Sequence, residues 1–142
     1  MKHTTRSPEE TFELARAFAA KLMRGDVLSL KGELGAGKTR FVQGLAAGLG
    51  VPAETYVRSP SFVLMNEYPG GRLPLYHFDF YRLVSAGELS DLGLEEYFYG
   101  DGVTAVEWAD RFPGAMPETA FDIEFRVVDE NVREIEFVNR DW

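Results

Sequence analysis

The first periodic stretch of apolar residues predicts a helix near the N-terminus. Apolar side chains recur at helical spacing over residues 12–22. Ser7 is suited to cap this helix, Pro8 fits its first position, and Glu10 stands three residues after the cap. Gly25 follows the last apolar position, so we expect the helix to close there.

A strand, a glycine-rich turn and a second helix are predicted next. Val27–Lys31 is a short apolar run of strand type, and the turn over 32–37 contains three glycines. Residues 38–47 have helical spacing, and the glycines and proline within 48–52 are expected to end that helix.

The rest of the chain is predicted to alternate short strands and short helices. In chain order these are strands 62–68 and 73–80 with a turn at 69–71, helices 85–92 and 94–98, and a strand at 103–106. Residues 121–127 alternate apolar and polar side chains, and Ile135 and Phe137 continue after a polar turn, which predicts an antiparallel hairpin. Helices interleaved with strands, plus this hairpin, predict a three-layer α/β fold with a mixed sheet.

Composition limits the possible functions. The chain has 142 residues, which favours one domain over residues 1–142. Its formal net charge of −8 argues against a sequence-independent grip on nucleic acid, which needs clustered cations. Cysteine is absent and there are two histidines, so thiolate chemistry is excluded and a multi-histidine metal site is not expected. We find no signal-like or membrane-spanning apolar segment, so the expected location is the cytoplasm, without membrane attachment.

The glycine-rich turn carries the clearest chemical signal. Residues 32–39 read GELGAGKT and match G-x-x-x-x-G-K-[ST], the Walker A phosphate loop, at every fixed position. Gly35 and Gly37 let successive backbone N–H groups turn toward an anion, and the following helix points its positive end at the same place. Lys38 can reach the β- and γ-phosphates, and the Thr39 hydroxyl can bind Mg²⁺. The pattern predicts a P-loop NTPase-like fold and a nucleotide held by Gly32, Glu33, Leu34, Gly35, Ala36, Gly37, Lys38 and Thr39.

Two carboxylates are candidates for the chemistry beside the phosphates. Glu107 follows the apolar run 103–106, and Asp79 follows another apolar run. An NTPase needs an acidic group near Mg²⁺ at the end of a neighbouring strand, so either residue can hold the metal or orient the attacking water. The alternative for each is a carboxylate that caps a helix or forms a surface ion pair.

Four motifs together resemble the TsaE family, the small P-loop ATPases of bacterial tRNA threonylcarbamoyladenosine biosynthesis. They are GELGAGKT at 32–39, SPSF at 59–62, HFDFYRL at 77–83 and VEW at 106–108, in this order. The first motif alone is not specific, whereas the last two at these separations are. The resemblance covers nearly the whole chain.

The resemblance implies roles for individual residues. Lys38 would contact the β- and γ-phosphates, and Thr39 and Glu107 would hold Mg²⁺. Asp79 would position the attacking water, and the catalytic set would then be Lys38, Asp79 and Glu107. The loop 59–61 would lie near the γ-phosphate, although Ser61 stands where the family usually has threonine.

Three further residues are expected to approach the nucleotide. Trp108 would lie beside the site, although a core role is equally open. Arg133 matches an arginine of the family's last strand, with an edge ion pair as the alternative. Arg40 stands where the family often has a small hydroxyl residue, and its backbone N–H can still serve a phosphate. For His77, structural hydrogen bonds are the favoured interpretation.

The resemblance also implies a partner and a working mode. The protein would bind ATP with Mg²⁺, hydrolyse it slowly when alone, and act on the TsaB–TsaD complex, meeting tRNA only through that complex. Segments 59–62 and 79–83 would switch with the γ-phosphate. Two alternatives remain open at this point, namely a small-molecule kinase with the same loop and a nucleotide-gated binding module without significant turnover.

Overall fold

The computed structural model describes residues 1–55, 57–60 and 64–139. Its strands are β1 (Lys2–Thr5), β2 (Val27–Lys31), β3 (Met65–Tyr68), β4 (Leu75–Asp79), β5 (Val103–Glu107), β6 (Phe121–Val127) and β7 (Arg133–Phe137). Its helices are α1 (Pro8–Ala19), α2 (Lys38–Gly48), α3 (Ala86–Asp91) and α4 (Leu94–Phe98), with 3₁₀ turns at Ala109–Arg111 and Pro113–Ala115.

The strands form one seven-stranded mixed sheet in the order β1-β7-β6-β2-β5-β4-β3. The central strand β2 pairs in parallel with β5 on one side and with β6 on the other, and β4 pairs in parallel with β5. The pairs β6–β7, β1–β7 and β3–β4 are antiparallel. The predicted mixed sheet and C-terminal hairpin are therefore confirmed.

Two apolar cores lie on opposite faces of this sheet. Ala105 of β5 belongs to the core formed with α1 and α2, whereas its neighbour Val106 belongs to the core that contains Leu94 and Phe98 of α4. Successive side chains of a strand point to opposite faces, so this alternation places helices on both sides. The arrangement confirms the predicted three-layer α/β architecture.

The helix α1 starts as predicted and ends earlier. The Ser7 hydroxyl accepts a hydrogen bond from the Glu10 N–H at 3.1 Å, and the Glu10 carboxylate accepts one from the Arg6 N–H at 2.8 Å. The helix ends at Ala19, and the predicted closure at Gly25 is wrong, because the chain after Ala19 continues in tighter turns such as the bond from the Leu22 N–H to the Ala19 carbonyl. Leu22 stays buried, which explains why its spacing looked helical.

The helices α1 and α2 cross at very close range. A Cβ atom at Gly44 of α2 would lie 2.2 Å from the carbonyl oxygen of Phe12 in α1. This contact fixes α2, and therefore the turn before it, against α1. Among the described residues, no helix is both long and apolar enough to cross a lipid bilayer.

Some strand boundaries differ from the predictions. β1 was not predicted, and β4 covers Leu75–Asp79 rather than 73–80. Within the predicted strand 62–68, β3 begins at Met65, since Leu64 has a positive φ of 71° that interrupts extended backbone. Residues 62 and 63 lie outside the described part of the chain.

Candidate functional site

A tight turn joins the central strand β2 to the helix α2, as the motif predicts. Gly35 and Gly37 have φ values of 80° and 102°, which residues other than glycine rarely adopt. Gly37 is the N-cap of α2, and the first turn of that helix contains no acidic residue. The positive end of the helix is therefore available to an anion.

Gly32 at the start of the turn lies against the neighbouring strand β6. A Cβ atom at this position would lie 2.7 Å from the carbonyl oxygen of Phe125, and φ is 152°. The residue is therefore required for the close approach of the turn to the sheet.

Lys38 is buried at the mouth of this turn, with 4% of its surface exposed. Its ammonium donates to the Gly32 carbonyl and lies 3.6 Å from the centre of the Trp108 ring. Burial lowers the pKa of Lys38 from its usual 10.5, while the nearby carboxylates Glu107 and Asp79 act in the opposite direction. The structure thus holds a desolvated cation where the motif places a phosphate-binding amine.

The two candidate carboxylates lie side by side. Asp79 ends β4 and Glu107 ends β5, and the parallel register places these two residues directly opposite each other. Both are buried, with 3% exposed. The Asp79 carboxylate accepts hydrogen bonds from the Ser59 hydroxyl at 2.9 Å and from the Tyr81 N–H at 2.8 Å.

Glu107 has a different partner. The Nε2 atom of His77 lies 2.5 Å from the Glu107 Oε2 atom, and the His77 side chain is fully buried. The histidine therefore makes the structural hydrogen bond that was favoured for it. Its other ring nitrogen, Nδ1, has no hydrogen-bond partner within the described ranges.

These side chains surround one cavity of about 330 Å³. Lys38, Thr39, Asp79, Glu107 and Trp108 of the predicted set all line it. Its other lining residues are Leu34, Gly35, Gly37, Arg40, Ser59 and Tyr81. The structure therefore brings the Walker A lysine and threonine, both acidic candidates and Ser59 together at one place.

The chemistry of this cavity fits a polyphosphate with Mg²⁺. The Thr39 hydroxyl and the Glu107 and Asp79 carboxylates are oxygen donors, which Mg²⁺ prefers. Two carboxylates and a hydroxyl leave coordination positions for phosphate oxygens and water, as Mg²⁺ usually requires.

Trp108 adopts a conformation that its residue type does not predict. Its φ is 59°, and its ring also contacts Tyr81, with centroids 5.0 Å apart. The left-handed backbone directly after β5 turns the indole toward Lys38. Trp108 lines the cavity and also packs against the core that contains Leu94 and Phe98, so both interpretations of it stay open. Tyr81 was missed as a lining residue of the site, although it belongs to the HFDFYRL motif.

Arg133 contacts the outer side of the phosphate loop. Its guanidinium donates to the Gly35 carbonyl at 3.1 Å and to carbonyls of the hairpin turn, including that of Asp129 at 2.8 Å. Arg133 and Arg40 also line a second cavity of about 150 Å³, together with Thr11. The guanidinium therefore turns to the loop and the hairpin turn, and within the described residues it forms no edge ion pair.

The remaining predicted residues are distributed along the loop. Glu33 and Leu34 are exposed, whereas Ala36 is buried under the turn. The Arg40 side chain donates to the Pro8 carbonyl at 3.3 Å and to Gln43 at 3.1 Å. Ser61, the position that departs from the family's usual threonine, lies outside the described residues.

The fold and this loop define an α/β protein with a P-loop-like architecture. The family model described as threonylcarbamoyl adenosine biosynthesis protein TsaE matches residues 5–135 of the chain. The chain therefore belongs to the TsaE family, and the resemblance seen in the sequence is confirmed.

Individual relatives agree with this assignment. The chain is 46% identical over 137 residues to the tRNA threonylcarbamoyladenosine biosynthesis protein TsaE of Bacillus subtilis, covering 96% of this chain and 84% of that protein. It is 42% identical to the protein of the same name from Treponema pallidum, covering 95% and 98%. The crystal structure of Bacillus subtilis YdiB superposes with a TM-score of 0.81 at 42% identity, covering 95% of this chain and 82% of that one.

Proposed function

We propose that this protein binds ATP together with Mg²⁺ and hydrolyses it as part of tRNA threonylcarbamoyladenosine biosynthesis. The observation that supports this most is the meeting of Lys38, Thr39, Asp79 and Glu107 around one cavity. P-loop enzymes bind and hydrolyse a triphosphate with a Walker A loop, which includes its lysine, and with nearby acidic groups.

In this proposal the chain positions the reactants and balances charge. Backbone N–H groups of the loop and the Lys38 ammonium hold the β- and γ-phosphate oxygens. Bound Mg²⁺, held by Thr39 and Glu107, would neutralise part of the phosphate charge. Asp79, fixed by Ser59 and Tyr81, accepts a hydrogen bond from the attacking water and orients it.

We assign the nucleoside part of ATP to the outer side of the loop. The second cavity, of about 150 Å³, is lined by Gly35 and Gly37, which also line the first cavity. Arg133 and Thr11 border it. A nucleotide that spans the loop would reach both cavities, and Trp108 would remain beside the phosphate end.

Hydrolysis fits the site better than phosphoryl transfer to a second substrate. The helices α3 and α4 pack on the opposite core, and no residue of either helix lines the phosphate cavity. Within the described residues, these two helices therefore form neither a lid over the phosphates nor a pocket for an acceptor. Phosphate release without an acceptor is the expected activity.

We further propose that turnover is coupled to the TsaB–TsaD complex. This rests on the family assignment and on the net charge of −8, which disfavours a direct grip on tRNA. The cytoplasmic location expected from the sequence stays a prediction.

The test is phosphate release from ATP by the purified protein, with and without TsaB–TsaD. We expect slow release alone, faster release with the complex, and pull-down of the complex that depends on the bound nucleotide. Brisk turnover alone would contradict the regulatory role. Transfer of phosphate to a hydroxyl acceptor would favour the kinase alternative, and ATP binding without any release would favour the nucleotide-gated binding module.

A further inference from the structure

We propose that His77 is a positioning residue that fixes Glu107 for Mg²⁺. The inference rests on the proposed function, because it concerns the metal of the same site. A carboxylate has no hydrogen to donate, so the His77 Nε2–H donates to Glu107 Oε2 across 2.5 Å. The second oxygen, Oε1, has no hydrogen-bond partner in the described part of the chain.

The backbone makes this contact rigid. His77 lies in β4 and Glu107 ends β5, and these parallel strands pair over five residues from Leu75 to Asp79. Both side chains are buried, with 0% and 3% exposed, and their hydrogen bond restrains Glu107, whose side chain borders the cavity. The histidine therefore holds Glu107 in one orientation and leaves Oε1 as the oxygen available to the cavity that Glu107 lines.

The unpaired Nδ1 atom argues against a purely structural histidine. Nδ1 is buried without a hydrogen-bond partner in the described ranges, so the ring is placed at a cost in free energy. A leucine at this position would have no unpaired polar atom. The single hydrogen bond that His77 does make ends on a candidate metal ligand, as partners of ligating groups commonly do.

The test compares three substitutions at this position. His77→Gln can place an amide N–H donor near the position of Nε2. His77→Asn places the amide near the position of Nδ1, out of reach of Glu107. His77→Leu removes the donor. For each variant, calorimetry measures ADP affinity with EDTA and with excess Mg²⁺. Electron paramagnetic resonance measures Mn²⁺ binding in the presence of ADP.

Mg²⁺ should raise the ADP affinity of the wild type. In the Asn and Leu variants we expect this increase to be smaller by about tenfold or more, since partners of metal ligands typically contribute 10–100-fold. The Gln variant should recover most of it, and all variants should keep wild-type affinity in EDTA. In a Glu107→Gln background, His77→Asn should have no further effect on metal binding.

Several outcomes would overturn the inference alone. One is an Asn variant whose ADP affinity rises with Mg²⁺ as much as that of the wild type. Another is an equal loss of this Mg²⁺-dependent increase in the Asn and Gln variants. A third is a loss of ADP affinity that is the same with EDTA and with Mg²⁺. If the Leu variant does not fold, the Asn and Gln pair still decides. A wild-type protein that binds no nucleotide would instead overturn the proposed function itself.

Discussion

Asp79 and Glu107 occupy opposite positions in the adjacent parallel strands β4 and β5, where both strands end. The carboxyl ends of parallel strands meet at one edge of a sheet, and the turn after β2 lies at that same edge. The two carboxylates have different hydrogen-bond partners, which are His77 for Glu107 and Ser59 and Tyr81 for Asp79. Under the proposed function, Glu107 would therefore hold the metal and Asp79 would orient the water.

Asp79→Asn should separate binding from turnover. The amide oxygen can still accept from the Tyr81 N–H, but the charge that orients water is lost. We expect ATP affinity close to wild type and phosphate release lowered by about a hundredfold or more, the usual range for loss of such a group. Asp91→Asn, on exposed α3, is the matched control and should leave both unchanged. Unchanged turnover in Asp79→Asn would show that this residue has been given the wrong role.

Gly32→Ala should destabilise the protein. The new Cβ would lie 2.7 Å from the Phe125 carbonyl oxygen, and the φ of 152° is strained for alanine. We expect the free energy of unfolding to fall by about 1–3 kcal/mol in urea denaturation. Gly114→Ala adds the same methyl group in open space and should change the free energy of unfolding by less than about 1 kcal/mol. Equal stability of the two variants would refute the close packing of the loop on β6.

Arg133→Ala should weaken nucleotide binding. The guanidinium contacts the Gly35 carbonyl and borders the cavity assigned to the nucleoside. Loss of one such charged contact is expected to cost about 1.5–3 kcal/mol, or roughly tenfold to a hundredfold in affinity. Arg126→Ala, from the same hairpin, removes only an exposed ion pair with Glu134 and serves as the control. If both variants bind a fluorescent ADP analogue as the wild type does, Arg133 has no part in the site.

Nucleotide binding should take up protons at alkaline pH. Burial lowers the pKa of Lys38 below 10.5, so part of the free protein carries a neutral amine as the pH approaches that value. A bound phosphate favours the charged amine, which raises this pKa again. Affinity should therefore decline as pH rises through the lowered pKa, with a proton bound per nucleotide in that range. Calorimetry in two buffers of different ionisation heat measures this uptake, and its absence would contradict a contact between Lys38 and phosphate.

Local sequence patterns were sufficient to predict the phosphate loop and its neighbours. The motif 32–39 specifies its own turn because glycine is needed where φ is positive, and the strand and helix around it have clear periodicity. The two carboxylates were found for a similar reason, since each follows an apolar strand. By contrast, β1 has only four residues, three of them not buried, so no alternation marks it, and it forms only by pairing with β7.

Contacts between distant parts of the chain were not predictable. The bond from His77 to Glu107 depends on the register of β4 against β5, which no local pattern specifies. The ring of Trp108 reaches Lys38 only because its backbone adopts a left-handed conformation uncommon for tryptophan. Likewise, the hydrogen bond from Arg133 to the Gly35 carbonyl joins residues that are far apart in the chain, and no local pattern specifies it.

The central claim is that the loop and Lys38 bind the phosphates of ATP, and calorimetric titration with Mg²⁺-ATP tests it most directly. We predict saturable single-site heat for the wild type and, for a Lys38→Ala variant that is folded by circular dichroism, an affinity lower by about thirtyfold or more. No heat with the wild type, or equal affinity in the two proteins, would contradict the account.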